Sequence, residues 1–536
     1  MNYSKFNKTN DHAYNVRRAL EYCKEHQIQS LEFPKDVYHF YADTASEGIY
    51  CTSNHGVNGY KRIAFLLKQL KNFTLDGGGS EFVFHNVMNP IVADECENLT
   101  LKNFAFYTPN AFSNTGEITA VGSNWFEVEI LAEQPHYVAH GQLFFGAPKG
   151  LHYPVEILIE AQPDKIHLQP NRQDYYLNAQ DNVEQINENT VRFTGLNRPL
   201  PVLGNKMLLM CRARDAACIL LQNCKNTKVL NYTAYTGVGM GLLAQNCEIV
   251  LVDNMKTCCK PERYLSLNAD ATHFVNCCGK VTVQNSSFSG QLDDALNVHG
   301  IYTRIIRKQQ NSLVVKYMHP QAKGLNCYRV GDTVSVVDPE SLLPKATGVV
   351  TAVEVLNIDC THLTIEGNLN GVLAGDDLEN ITRYPEVYFC HNRVEYNRAR
   401  GILLGSCKKT VISNNYFNTA GAAILFESNG DFWFESGAVK DVVIESNEFE
   451  NCKYGAWCSA VIEVAPRKKT EENRYFHGNI SVQNNHFHNC KFPLFKANNV
   501  QLCVFKNNKI EPESLEKATQ LEHCSQAILI NLQAKN

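Results

Sequence analysis

The chain has 536 residues, 44% of them hydrophobic and only 20% charged, enough apolar material for a large core in about two to four domains. A formal net charge of −5 leaves no basic footprint for nucleic acid or an anionic membrane surface. No apolar run reaches membrane-spanning length, so a soluble, mainly polar-faced protein is expected.

The opening stretch 11–40 reads as a short amphipathic helix followed by a strand. Asp11 or Asn10 is placed to cap the helix, and Val16, Ala19, Leu20 and Cys23 fall on its apolar face. Such a helix can cover the open end of a stacked β-structure, which otherwise exposes core and unpaired edges.

Beyond it a short pattern recurs: apolar-x-apolar-x-polar-polar-x-apolar. It occurs in KVTVQNSSF (280–288), EVYFCHNRV (386–394), TVISNNYF (410–417), VVIESNEF (442–449), ISVQNNHF (480–487) and CVFKNNKI (503–510), with looser relatives at 73–79, 98–106 and 227–235. Val394 and Phe417 are 23 apart, as are Phe487 and Ile510. Period-two alternation ending in Asn marks a strand that runs into a bend, and Asn tolerates the left-handed backbone such bends use. A fixed period in the twenties means a solenoid. The LxxLxLxxN pattern of leucine-rich repeats is missing, so the expected fold is all-β, a right-handed parallel β-helix with an N-terminal capping helix.

Two stretches break the repeat. Residues 110–210 hold FEVEILAE, QLFFGAP, VEILIEA, KIHLQP and VRFTG; residues 302–384 hold RIIRKQQNSLVVKYM, DTVSVVD, ATGVVTAVEV and HLTIEG. These short alternating strands without Asn turns predict two small β-barrel or sandwich domains inserted between coils. The chain then divides into 1–109 (cap and first coils), 110–210, 211–301 (coils carrying the acidic site), 302–384, and 385–536 (C-terminal coils).

The twenty cysteines never form a C-x-x-C pair, so the usual zinc spacing is missing. Cys224 and Cys247 are again 23 apart and read as a stacked rung of buried thiols. Free thiols without a leader place the chain in the cytoplasm as the sequence stands, and in the periplasm or medium if a leader was removed. No metal and no cofactor is expected.

The chemistry concentrates in NADATHF (268–274) and LDDALNVHG (292–300). Asp270 precedes Asp293 and Asp294 by 23 and 24 residues, one coil, and neighbouring strands lie about 4.7–4.9 Å apart. Three carboxylates would converge there. Inverting glycoside hydrolysis needs one protonated carboxyl and one ionised carboxylate, about 6.5–9.5 Å apart to admit a water. Crowding raises the pKa of at least one of them, which suits an acid. By contrast Asp376-Asp377, in AGDDLEN, fits no coil register and is expected to be a solvated turn.

Around the trio, His273, Asn297 and His299 are candidates for binding sugar hydroxyls. Arg400 follows Val394 by six, as Asp294 follows Phe288 by six. With the second insertion excised, Arg400 stands one rung beyond the acid pair, and Arg398 is the alternative if the bend differs. Glu427 in ILFESNG, with Trp433 and Glu435 in DFWFESG, forms a polar–aromatic cluster suited to a sugar ring.

SLNADATHF, the one-coil gap, LDDALNVHG and DFWFESG together resemble glycoside hydrolase family 110, the exo-acting α-1,3-galactosidases. The resemblance covers most of the chain. It implies a β-helix with two β insertions and inverting removal of terminal α-1,3-linked galactose from blood-group-B-type or linear Galα1-3Gal glycans. The partner implied is a galactose-terminated oligosaccharide or glycoconjugate, with neither nucleic acid nor membrane; self-association into a homo-oligomer is left open. The three-Asp layout is also similar to the polygalacturonases of glycoside hydrolase family 28. That likeness makes Asp293 the acid, and Asp294 with Asp270 the pair holding the water. The GHG and RIK motifs of that family are absent one coil later. Two rival functions fit the fold. A polysaccharide lyase would use Ca²⁺ and yield an unsaturated uronate, and a non-catalytic glycan-binding β-helix would keep its affinity after Asp293→Asn.

Overall fold

The computed structural model describes residues 1–530 except 57, 110–112, 132–134, 148–150, 164–166, 196–197, 262 and 512–514. Its body is a parallel β-helix whose coils stack into one sheet of twenty strands and another of thirteen. One coil runs Cys278–Gln284, Ser287–Ser289 and Leu296–Ile301. Along the first of these strands Val281 and Val283 point into the core while Thr282 faces out, the alternation that the repeated pattern encodes.

Asparagine shapes most of the bends after such strands in two ways. Asn254, Asn285, Asn414, Asn484 and Asn507 adopt left-handed backbone, with φ between 52° and 57°, a conformation that costs Asn little. The residue that follows is turned inward. Asn415 donates to Asn447 Oδ1 (2.9 Å), Asn447 to Asn485 Oδ1 (3.0 Å) and Asn485 to Asn508 Oδ1 (3.0 Å), a buried amide ladder with its polar groups paired. Phe389, Phe417, Phe449 and Phe487 stack beside it at centroid spacings of 6.2, 5.2 and 4.6 Å. Cys224 and Cys247 are buried on successive coils, and all twenty cysteines are unpaired.

The helix His12–Glu25 closes the N-terminal end. Asp11 caps it by accepting from the Ala13 amide at 3.1 Å, and Val16, Ala19, Leu20 and Cys23 are buried. No helix among the described residues is long and apolar enough to cross a membrane.

The coil length is less regular than the sequence repeat. Val394 pairs with Phe417 and Phe487 with Ile510, each a step of 23. Ile424 pairs with Ile462, a step of 38. The surplus residues loop outward without disturbing the rungs.

The two insertions are larger versions of the same event. Across the first, Ile91 pairs directly with Ile219. Between them, strands from Ser113–Val121 to Lys206–Met210 make a seven-stranded antiparallel sheet beside a three-stranded one. Of the segment KIHLQP, Leu168 bridges Ala161, whereas Lys165 and Ile166 lie outside the described residues. Across the second, Phe288 pairs with Val394 and Leu296 with Ile402, while Thr303–Gln309 through Asp377–Asn380 close a six-stranded barrel.

Barrel closure corrects the reading of Asp376-Asp377 as a solvated turn. Both are buried, because Asp377 opens the barrel strand that pairs with Thr303–Arg304. Arg304 grips Asp377 with Nε at 2.6 Å and Nη2 at 3.1 Å, and the Lys345 ammonium donates to both Asp376 oxygens at 2.8 and 2.9 Å.

Candidate active site

Three coils each present one polar residue just before a strand of the thirteen-stranded sheet, followed by a small residue: Asp270-Ala271, Asp294-Ala295 and Arg400-Gly401. The small residue lets the chain turn into the crowded core. Ala271 and Ala295 are fully buried, and a Cβ at Gly401 would meet the Ala423 carbonyl at 2.5 Å. Thr272 pairs with Leu296 and Leu296 with Ile402. Asp270, Asp294 and Arg400 therefore form a column along the helix axis, so Asp294 rather than Asp293 stands over Asp270.

Each carboxylate has a different set of partners. Asp270 Oδ1 accepts from the Asp294 amide at 3.3 Å, and Oδ2 lies 2.6 Å from His273 Nδ1. Asp294 Oδ1 accepts from the Arg400 amide (3.0 Å) and Nε (2.9 Å), and Oδ2 from Nη2 (2.8 Å), a two-pronged guanidinium grip. Asp293 turns the other way. Its Oδ2 accepts from Arg214 Nη2 at 2.6 Å, its Oδ1 is 3.7 Å from Arg400 Nη2, and its side chain is 14% exposed against 4% and 1% for Asp270 and Asp294. One oxygen of each carboxylate falls within 4.8 Å of the others, tighter than the 6.5–9.5 Å that inversion suggested.

Electrostatics separates the three. Burial, then the charge of Asp293, pushes Asp270 up to about 8. Burial raises Asp294 to about 7 even against the attraction of Arg400. Burial works on Asp293 as well, but Arg214 and Arg400 outweigh it and hold this carboxyl below the usual range. Of the three, Asp270 therefore holds a proton most readily, Asp294 less so and Asp293 least.

These groups form the floor of a cavity of about 680 Å³, the size of a small-ligand site. Tyr176 from the first insertion and Arg212 from just after its last strand wall one side; Glu427, Trp433 and Glu435 wall another. Asn297 Oδ1 is buried without a hydrogen-bond partner among the described residues, leaving an acceptor for a sugar hydroxyl. Trp433 is 39% exposed with Phe432 beside it at a 5.1 Å centroid distance. Trp433→Ala should raise KM about 10-fold with little change in kcat, as loss of one aromatic–sugar contact predicts; an unchanged KM would remove the ring from the binding site.

His273 and His299 behave differently from the sugar ligands expected. His273 spends Nδ1 on Asp270 and Nε2 on His299 Nε2 (2.9 Å), and His299 Nδ1 faces the Gly300 carbonyl at 2.7 Å. Neither ring keeps a nitrogen for substrate. Arg398 lies at the rim, ion-paired with Asp174 of the first insertion and 4.2 Å over the Trp457 ring. Arg214 was not legible. It stands in CRARDAAC (211–218), where the first insertion returns to the helix, so no repeat register points to it.

Among the described residues two groups bring three metal-type donors within 4.8 Å: this trio, and Glu448 with His486 and His488 on the outer face. At the trio, the guanidinium groups of Arg400 and Arg214 already supply the positive charge that a cation would bring.

Two segments match known family domains, GLAA-B beta-barrel domain I over residues 115–207 and GLAA-B beta-barrel domain II over residues 312–378. Alpha-1,3-galactosidase B of Bacteroides thetaiotaomicron is 30% identical, the match covering 96% of this chain and 87% of that protein. The chain belongs to the α-1,3-galactosidase family, glycoside hydrolase family 110. Alpha-1,3-galactosidase A of Shewanella woodyi is 32% identical over 92% of this chain and 82% of its own length. Among solved structures, the mannuronan C-5 epimerase A-module of Azotobacter vinelandii aligns over 100% of this chain and 98% of its own at 9% identity and a TM-score of 0.37. A Thermotoga maritima exopolygalacturonase aligns over 99% and 91% at 11% identity and a TM-score of 0.35. In this galactosidase-family chain, the insertion that matches barrel domain I also supplies Tyr176 to the cavity wall, and Arg212 follows just beyond its last strand.

Proposed function

We propose that the protein is an exo-acting α-1,3-galactosidase that releases terminal galactose from blood-group-B-type or linear Galα1-3Gal glycans with inversion. The observation that carries the reading is the condition of the deep carboxylates. All four oxygens of Asp270 and Asp294 face hydrogen-bonding partners and the side chains are 4% and 1% exposed. Groups so tied down can orient a water, but they cannot swing out to attack a sugar carbon, as a covalent nucleophile must. The α-1,3 linkage rests on the family.

Asp293 faces the cavity and acts as the acid. It needs a proton that Arg214 denies it in the empty site. A sugar hydroxyl that draws Arg214 away removes the main charge holding Asp293 ionised, and Asp293 takes up a proton from solvent. A deep carboxylate in its ionised form takes a proton from water as the water oxygen bonds to C1. Asp293 gives its proton to the leaving glycosidic oxygen, freeing β-galactose and the acceptor hydroxyl. Proton NMR of the earliest product from blood-group B trisaccharide tests the stereochemistry: β-galactose is expected first, and α-galactose first would exclude inversion.

The same buried acid predicts a pH signature in stability. Asp270 titrates near 8 when folded against about 3.9 when unfolded. Between these values only the folded form keeps the proton, so stability falls as pH rises through that window. Asp270→Asn removes this loss. It should melt several degrees above wild type at pH 8, with the gap closing towards pH 4.5, by scanning calorimetry at both pH values.

A further inference from the structure

The deep base must be ionised before it can accept a proton, yet Asp270 lies in a pocket that favours its neutral form. The hydrogen-bond chain behind it addresses this. His299 Nδ1 meets only the Gly300 carbonyl, which accepts (2.7 Å), so that nitrogen carries a proton. In a neutral His299 ring Nε2 is then an acceptor. His273 Nε2 at 2.9 Å must therefore donate to it, which leaves His273 Nδ1 as the acceptor facing Asp270 Oδ2 at 2.6 Å. With both rings neutral, the proton in that last bond belongs to Asp270. The chain ends on the cavity side at Glu435, whose Oε1 lies 3.6 Å from His299 Nε2 and accepts from Asn54 Nδ2 at 3.0 Å.

We propose that His273 and His299 form a proton relay that draws the proton off Asp270 and holds it beside Glu435, making Asp270 the base of the hydrolysis proposed above. The transfer balances in two hops. Asp270 Oδ2 gives its proton to His273 Nδ1, while His273 Nε2 gives its own to His299 Nε2. His273 ends neutral in the other tautomer, Asp270 is a carboxylate and His299 an imidazolium facing the Glu435 carboxylate. No bond to carbon changes and no outside reactant is needed. After the water attacks, the proton it leaves on Asp270 replaces the one that Asp293 gave to the leaving oxygen, and the parked proton returns by the same two hops in reverse, restoring both rings.

The surroundings suit a relay in which His273 itself stays neutral. It is fully buried, and burial, then His299, holds it down to about 3. Arg214 and His55 face it as further positive or potentially positive groups, against Asp293 and Glu435 as negative ones. Asp270 is faced by Asp293, Arg214, Arg400 and Glu435. The negative charge beyond His299 is Glu435, so the parked proton has its counter-ion at the cavity end of the chain. The two rings stand nearly perpendicular, 87° apart with centroids separated by 4.9 Å, which points one ring nitrogen at the other rather than stacking the faces.

His299→Gln separates relaying from mere packing. An amide oxygen can still accept from His273 Nε2, but it cannot take up a proton at neutral pH. On an activated aryl α-galactoside, which needs no acid, the variant should lose about 10²-fold in kcat at pH 6. It should recover to near wild type at pH 9, where Asp270 ionises directly, with KM little changed throughout. Glu435→Gln should shift the acid limb the same way but less. A His299→Gln profile parallel to wild type, at full or reduced height, overturns the relay. Long-range ¹⁵N–¹H spectra of the substrate-free protein give a readout that needs no turnover: His273 should be protonated on Nε2 and bare on Nδ1, and the opposite tautomer also overturns the proposal. If wild type cleaves no α-galactoside, the functional reading fails, and the spectra still judge the hydrogen-bond chain.

Discussion

Asp293→Asn should lower kcat on an α-1,3-linked digalactoside by about 10³–10⁴-fold while costing an activated aryl galactoside only about 10-fold. The contrast follows from the leaving group. A sugar alkoxide departs only when protonated, whereas a nitrophenolate departs unaided. Asn keeps the size of Asp293 and an oxygen for Arg214, so the fold is retained. Asp270→Asn and Asp294→Asn should impair both substrates alike, because every substrate needs an activated water. The measurement is a Brønsted series across aryl leaving groups for the three variants. Equal leaving-group sensitivity in all three would sink the assignment of Asp293 as acid. The series also bears on Arg214. If a sugar hydroxyl draws that arginine away, the basic limb of kcat lies at higher pH than that of kcat/KM, since the acid is protonated only in the complex.

The second large effect is expected at Arg400, which holds Asp294 with Nε, Nη2 and its backbone amide. Arg400→Met leaves a buried carboxylate without its counter-charge, and breaking such a pair costs about 3–5 kcal/mol. Asp294 then takes up a proton and keeps it, so activity should fall at least about 10³-fold together with a lowered melting temperature. Arg400→Lys restores the charge but not the planar grip. It should fold close to wild type yet remain about 10–100-fold slower, since the water held by Asp294 loses its alignment. Wild-type kinetics for the lysine variant would mean that charge alone suffices.

How much of this was readable from the chain follows from what the repeat controls. Side chains set by the stacking of coils were legible: the Asp270–Asp294–Arg400 column needs only the coil step and the excision of one insertion. The period of 23 did not carry everywhere, since the Asp270 rung steps by 24 and pairs Asp294, not Asp293, with it. Side chains that reach the site from outside the repeat were not legible. Arg214 arrives on the irregular stretch that leads from the first insertion back to the helix, and Tyr176 and Arg212 from the insertion or its junction. The two histidines were seen, but as hands for the sugar. Which atom a ring nitrogen faces depends on bends of a few degrees that no spacing records. Asp376-Asp377 failed for a related reason: a pair that looks like a polar turn becomes buried once a barrel closes over it and supplies Arg304 and Lys345.

The amide ladder at the preceding bend of the coil bears on how three side chains from three coils can meet within a few ångströms. Asn392 Oδ1 accepts from the Ser286 amide at 2.9 Å, and Asn392 donates to the Val283 carbonyl at 2.9 Å. This rivet joins the coil that carries the acid pair to the coil that carries Arg400, although a whole barrel is threaded between them in the chain. A slip of one residue would turn every inward side chain outward, and here it would also strand a buried amide. Alignment at the catalytic bend is thus guarded from the bend before it, and the loop between coils can lengthen, swell into a domain or change its contacts with the sugar while the acids and their arginine stay in line.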